Sequence, residues 1–290
     1  MFNQMRGSAN PFEALKFRWV LLGLLGAGLG WGILLSLIET AGWWPLVITG
    51  PLMQPVLYLL MTLSLWPIVL WLGRNQRIRY RRLIGFRPKY FSWATGMALA
   101  IALVIFSLGS SQLLFYGLSF VAPIITEGFR QAPPLLTAET RLPWLYNGLM
   151  LLYLVAVAPV TEEFVFRGIL LHRWGTKWGV PAAVILSSVL FGLLHVNPVG
   201  LFVFGLVMAL LYLKTRSLWV PIFCHMINNA LAIALELLPF GPESSLVTFQ
   251  DGWLGLILIG ISAPWLLRFV LQNWSKTHEA LPYFVNDTQA

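Results

Sequence analysis

Long apolar segments dominate this chain of 290 residues. A helix needs about 20 mostly apolar residues to cross the hydrocarbon core of a bilayer. Eight segments meet or approach that length: 17–38, 46–73, 92–120, 144–164, 179–196, 198–213, 218–238 and 253–271. Only 10% of the residues are charged, whereas a soluble domain carries about 25%. These features predict an all-α, polytopic transmembrane bundle of about eight helices, and they exclude a disordered chain, a nucleic-acid-binding domain and an ordinary cytosolic enzyme.

Lys and Arg are distributed unevenly between the segments that connect these helices. If the N-terminus is cytoplasmic and eight helices alternate, 17 of the 19 basic residues lie on the cytoplasmic side. By the positive-inside rule this bias predicts an integral membrane protein with a cytoplasmic N-terminus. For a bacterial protein the membrane would be the plasma membrane. The assignment requires 179–196 and 198–213 to be separate helices, because one bent element would invert everything after it.

The most basic connecting segment is 74–89, which carries seven positive residues and no acidic one. The plain interpretation is a cytoplasmic loop that sets the orientation of the neighbouring helices. The alternative is a surface for anionic lipid headgroups, which attract basic segments next to a membrane.

Polar and ionisable side chains inside the predicted helices are the candidates for function, because each is costly to insert into a membrane. The candidates are Glu162, Glu163, Arg167, His195, His225 and Asn229. Glu163 and Arg167 are four residues apart, so they can form an ion pair on one helix face, whereas Glu162 faces elsewhere. His225 and Asn229 are also four residues apart and point the same way. Taken singly, each group has a structural alternative: an interfacial carboxylate pair, a packing histidine, or polar residues that bond between helices.

A turn predicted over 175–181 relates the first two of these groups. Glu162 and His195 are each 16.5 residues from its midpoint, so two antiparallel helices would place them at the same depth. That depth is about 25 Å from the turn. Such a hairpin must protrude, tilt or bend at Gly168.

Two further histidines and the single cysteine are weaker candidates for function. His172 and His278 lie in hydrophilic flanks and are expected to be solvated. The single cysteine, Cys224, excludes an intramolecular disulfide. Its neighbour His225 is about 100° away around the helix, which favours a buried, inert thiol over a Cys-His nucleophile.

The polar groups occur in an order that resembles the CPBP family of intramembrane proteases, also called the Abi family. This family includes type II CAAX prenyl proteases and bacteriocin-processing enzymes. Its pattern is Glu-Glu-x-x-x-Arg, Phe-x-x-x-His and His-x-x-x-Asn on separate membrane helices. The matching residues here are Glu162, Glu163 and Arg167, then Phe191 and His195, then His225 and Asn229. The resemblance covers roughly 144–240, which divides the chain into an N-terminal part (1–143), a catalytic core (144–240) and a C-terminal part (241–290).

The resemblance implies a role for each matching residue. Glu162 would activate the attacking water with help from His195. His225 and Asn229 would stabilise the oxyanion, and Glu163 and Arg167 would hold the site in shape. The implied substrate is a membrane-associated protein or peptide, which in the eukaryotic branch is a prenylated C-terminus.

The resemblance leaves the cofactor open, because the family has also been described as metal-dependent. Glu162, His195 and His225 could then be the ligands of a divalent metal such as zinc. The metal-free glutamate mechanism is favoured here from the family resemblance, and no cofactor is expected.

The sequence lacks the motifs of two other classes of intramembrane protease. No His-Glu-x-x-His occurs, and the only Asp residues, Asp251 and Asp287, lie in flanks, so zinc and aspartyl proteases of the usual intramembrane types are excluded. The alternatives that remain are a non-proteolytic transporter, immunity protein or scaffold with the same polar core, and haem ligation by His195 and His225.

Overall fold

We describe a computed structural model over residues 10–41, 52–130, 135–136, 140–237, 252–275 and 280–286. Within these ranges the chain forms helices joined by short connections. The helices are α1 (Arg18–Thr40), α2 (Met53–Asn75), α3 (Tyr80–Ile84), α4 (Trp93–Val121), α5 (Pro123–Arg130), α6 (Pro143–Trp178), α7 (Val180–Leu193), α8 (Pro198–Thr215), α9 (Trp219–Glu236), α10 (Gly252–Asn273) and α11 (Pro282–Val285).

Seven helices of the described ranges are long and apolar enough to cross a membrane: α1, α2, α4, α6, α8, α9 and α10. This confirms the predicted all-α polytopic class. The predicted fifth segment corresponds to α7, an apolar helix of only 14 residues. The predicted segments agree with the helices to within a few residues, except at 144–164 and 179–196. Residues 46–51 of the predicted second segment lie outside the described residues.

Helix α6 extends 14 residues beyond the predicted membrane segment 144–164, as the predicted hairpin with its turn at 175–181 requires. Its 36 residues correspond to roughly 54 Å at 1.5 Å per residue, well beyond a hydrocarbon core of about 30 Å. It contains two wide π-helical stretches, Leu152–Val157 and Phe164–Leu170. Gly168, the position of the bend among the three predicted alternatives, lies in the second π-helical stretch of a helix that continues unbroken to Trp178.

The predicted turn over 175–181 is reduced to one residue, Gly179. Its φ of 88° lies in a region that side-chain-bearing residues rarely adopt, so α6 ends there and α7 starts at once. Helix α7 packs against the C-terminal part of α6 and against α8. It ends at Leu193, so His195 does not lie on the helix as predicted but in the Leu194–Asn197 loop that follows.

The remaining long helices enclose these elements. Helix α10 lies along α4, and α9 packs against α4, α8 and the first half of α6. The main apolar core lies between these helices and includes Cys224, which is fully buried as predicted. The site residues on α6 and α9 therefore face each other inside the bundle.

The expectation for His172 was wrong, because this side chain is fully buried. The backbone N–H of Tyr283 donates to its Nε2 over 3.1 Å, and its Nδ1 donates to the Arg167 carbonyl over 3.3 Å. Phe12 stacks on the ring at 4.9 Å. Residues near both ends of the chain bury His172, and the sequence around His172 does not indicate these distant contacts. His278 lies outside the described residues.

Candidate active site

Helix α6 carries two adjacent carboxylates with opposite environments. Glu163 is fully buried, whereas 28% of the Glu162 side chain is exposed. Both lie on the short α-helical stretch Ala158–Glu163 between the two π-helical stretches. Interruptions of this kind occur frequently at functional sites, because a wider turn redirects side chains and frees carbonyl groups.

The buried carboxylate is fixed by an ion pair. Arg167 Nη1 lies 3.0 Å from Glu163 Oε1, which confirms the pair predicted from the spacing of four residues. Arg167 Nη2 also donates to the Gly205 carbonyl on α8 over 3.2 Å, and its guanidinium stacks over the Phe191 ring at 4.6 Å. The arginine therefore ties α6 to α7 and α8 as well as neutralising Glu163.

His225 on α9 lies between the two carboxylates. Its Nδ1–H donates to Glu163 Oε1 over 2.8 Å, and its Nε2 lies 3.9 Å from Glu162 Oε2. An ionised carboxylate can only accept, so Nδ1 carries a proton and Nε2 is the nitrogen that faces Glu162. The buried acid thus sets the orientation of the histidine ring.

His195 reaches the same region from the loop after α7. Its Nδ1–H donates to the Phe191 carbonyl over 2.6 Å, which leaves Nε2 as the nitrogen able to accept a proton. The His195 ring lies 4.6 Å from the Phe191 ring, and the His225 ring lies 6.0 Å from the same phenylalanine ring. Both histidine rings therefore pack against Phe191, which is fully buried.

Asn229, one turn after His225, is engaged with α6. Its Nδ2 donates to the Leu154 carbonyl over 2.8 Å. Leu154 belongs to the first π-helical stretch, where the wider hydrogen-bonding pattern leaves carbonyl groups open to side-chain donors. One of the two amide hydrogens of Asn229 is therefore used to hold α9 against α6, and one is left for other partners.

Asn197 supports the loop that carries His195, although from the sequence it is only a residue between two predicted helices. Its Oδ1 accepts from the Gly200 N–H over 3.0 Å and so caps α8. Its Nδ2 donates to the Ser107 carbonyl over 2.9 Å and to Ser110 Oγ over 2.9 Å, both on α4. It thereby anchors the loop that carries His195. The Asn-Pro pair at a helix start signals the cap, but no local pattern signals the bonds to α4.

A zinc site at Glu162, His195 and His225 was the metal-dependent alternative. Across the described residues, no three His, Cys, Asp or Glu side chains are grouped so as to hold a metal ion. Each histidine uses Nδ1 within the protein, and Nε2 of His225 already faces Glu162. A histidine whose Nδ1–H is bonded within the protein still offers Nε2 to a metal ion, so the observation that bears on zinc is that the three side chains are not grouped as ligands.

Comparison with known families and proteins identifies the region that contains this site. Residues 143–231, which include all six site residues, match the model of the type II CAAX prenyl endopeptidase Rce1-like family. The chain is also 34% identical over 94 residues to YdiL of Bacillus subtilis (strain 168), a protein named as a candidate membrane peptidase. That similarity covers 31% of this chain and 38% of YdiL. No solved structure matches the chain.

Proposed function

We propose that this chain, whose residues 143–231 match the model of the Rce1-like family, is an intramembrane endopeptidase that cleaves a membrane-associated protein or peptide. The observation that carries the proposal is the contrast between the two glutamates. Glu163 is buried and ion-paired with Arg167, whereas Glu162 is partly exposed and lies 3.9 Å from His225. One acid is held in an ion pair inside the protein, and the other is partly exposed and therefore accessible to water.

In the proposed mechanism, Glu162 removes a proton from a water molecule as its oxygen attacks the peptide carbonyl. A positioned general base of this kind contributes about 10²–10⁴-fold to the rate. His195 assists through Nε2, because its Nδ1 is held by the Phe191 carbonyl. The proton taken by Glu162 then passes to the amine that leaves when the C–N bond breaks.

The oxyanion of the tetrahedral intermediate needs hydrogen-bond donors aimed at it. Asn229 has one amide hydrogen that is not used by the Leu154 carbonyl. His225 can donate from Nε2 when it is protonated there, with Nδ1 still bonded to Glu163. Removing a donor of this type typically costs about 2.7–4 kcal/mol of transition-state stabilisation.

We propose that hydrolysis needs no metal ion. The support is that, among the described residues, Glu162, His195 and His225 are not grouped so as to hold a metal ion. The catalytic core is assigned to 144–240, in a protein of the bacterial plasma membrane with a cytoplasmic N-terminus. The membrane-associated class of substrate is supported by the similarity to membrane peptidases and by the position of the site among apolar helices.

Replacement of the proposed base tests this function. Membrane fractions of cells that produce either the wild type or Glu162→Gln would be compared by quantitative proteomics of protein termini. We expect uncleaved precursors to accumulate with Glu162→Gln, whose abundance and thermal stability should match those of the wild type. Glu13→Gln, a change at an exposed glutamate remote in sequence from the site, is the matched control and should cleave normally.

An unchanged set of termini with Glu162→Gln would overturn the protease proposal. Survival of the cellular phenotype with that substitution would instead support a transporter, an immunity protein or a scaffold.

A further inference from the structure

The segment 74–89, which joins α2 to α4, is a fixed and strongly basic surface that we call the arginine plate. It carries seven basic residues and no acidic one. Its exposed cations are Arg74, Arg77, Arg79, Arg81, Arg87 and Lys89. None of these six belongs to an ion pair within the described ranges.

The backbone of the plate is held by groups from three other elements. The Tyr212 hydroxyl donates to the Leu83 carbonyl over 2.7 Å, and the Leu218 N–H donates to the Ile84 carbonyl over 2.8 Å. Asn286 Nδ2 donates to the Arg82 carbonyl over 2.9 Å. The cations therefore project from a defined scaffold, not from a flexible loop.

Some side chains of the plate are buried in the protein, and others are exposed on its surface. Ile78 and Leu83 are buried and serve as anchors, whereas the arginines on either side of Ile78 point outward. Two aromatic residues accompany the cations on the exposed side, since Phe86 is 45% and Tyr90 is 99% exposed. Exposed aromatic residues beside cations are typical of the boundary between lipid and water.

We propose that the arginine plate binds the anionic headgroups of phospholipids in the adjacent leaflet. The plate connects two helices that are each long enough to span a membrane, so it is confined to the membrane surface. Headgroup phosphates complement its six exposed cations, and each cation near an anionic surface strengthens binding by roughly fivefold. This inference is independent of the proposed proteolysis.

The test uses the purified full-length protein in detergent micelles, with phosphatidylglycerol and phosphatidylcholine as probes and retained lipid measured by native mass spectrometry. The plate variant is Arg77→Gln/Arg79→Gln/Arg81→Gln. The matched control also removes three exposed cations, in Lys177→Gln/Lys214→Gln/Arg268→Gln. We expect the plate variant to lose roughly 100-fold in apparent affinity for phosphatidylglycerol, while the control stays within a few-fold of the wild type.

Three outcomes would overturn the proposal. The first is an unchanged affinity of the plate variant, and the second is an equal loss in both variants, which would indicate net charge alone. The third is competition by inorganic phosphate at the same concentration as the lipid, which would indicate a site for free phosphate. The single changes Arg77→Gln and Arg79→Gln, each expected to lose roughly fivefold, keep the test available if the triple variant fails to fold.

Discussion

Replacement of Asn197 by alanine tests how the His195 loop is held in place. The substitution removes the helix cap on Gly200 and the bonds to Ser107 and Ser110. An N-terminal cap contributes about 1 kcal/mol, and each net hydrogen bond contributes about 0.5–1.5 kcal/mol. Three effective bonds, lost at a residue that is only 6% exposed, predict a decrease of about 3 kcal/mol in the free energy of unfolding.

A matched control exists elsewhere in the fold. Asn286 is 3% exposed and donates to the Arg82 and Arg216 carbonyls, both over 2.9 Å. Asn286→Ala removes the same chemical group and should cost about 2 kcal/mol, because two bonds are lost. The substitution should leave the His195 loop unchanged, because Asn286 lies where α11 packs against α3.

Two measurements distinguish anchoring of the loop from a general loss of stability. Chemical denaturation in micelles gives the free energy of unfolding for each variant. Hydrogen exchange at the His195 amide, which donates to the Gly192 carbonyl over 3.0 Å, reports on the loop itself. We expect exchange to accelerate roughly 100-fold in Asn197→Ala and to stay nearly constant in Asn286→Ala. A destabilisation below about 1 kcal/mol, or equal acceleration in both variants, would refute this reasoning.

Three other predictions follow from particular contacts. Arg167→Met leaves the Glu163 carboxylate buried without its guanidinium partner, so the free energy of unfolding should fall by about 3–5 kcal/mol. The double variant Glu163→Gln/Arg167→Met removes the buried charge as well and should recover part of that loss in the same denaturation experiment. Gly192→Ala places a methyl group against the Pro198 carbonyl and 2.9 Å from the Phe202 nitrogen. Thermal denaturation should therefore show about 1–3 kcal/mol of destabilisation. The control Gly260→Ala, which has open space around the added methyl group, should be neutral or stabilising. Treatment with a zinc chelator should leave peptide cleavage unchanged, and a loss that added zinc restores would refute the metal-free mechanism.

Much of the architecture and several contacts were predictable, because they depend on local regularities. An apolar run of sufficient length needs a helix in a membrane, whatever its neighbours are, since backbone polar groups must be satisfied internally. The Glu163–Arg167 pair follows from helical geometry alone. The turn was located correctly because Gly179 adopts a conformation that glycine favours.

The errors have an equally physical origin. Helix α6 continues past the predicted membrane segment 144–164, and its last turns pack against α7. His172 is buried by Phe12 and by Tyr283, which is 111 residues away in the chain. A polar stretch therefore looked like a solvated flank when the sequence around it was considered alone.

The sequence by itself determined which polar side chains this membrane protein carries and which of them share a helix face. Only the tertiary structure decided that Glu163 and not Glu162 holds the Nδ1 of His225, that Asn229 uses one hydrogen on Leu154, and that Asn197 anchors the loop of His195. The reason is that these bonds join residues between 62 and 90 positions apart. Helical periodicity specifies neighbours within a few turns, whereas the packing of α4, α6, α7 and α9 brings these donors to their acceptors.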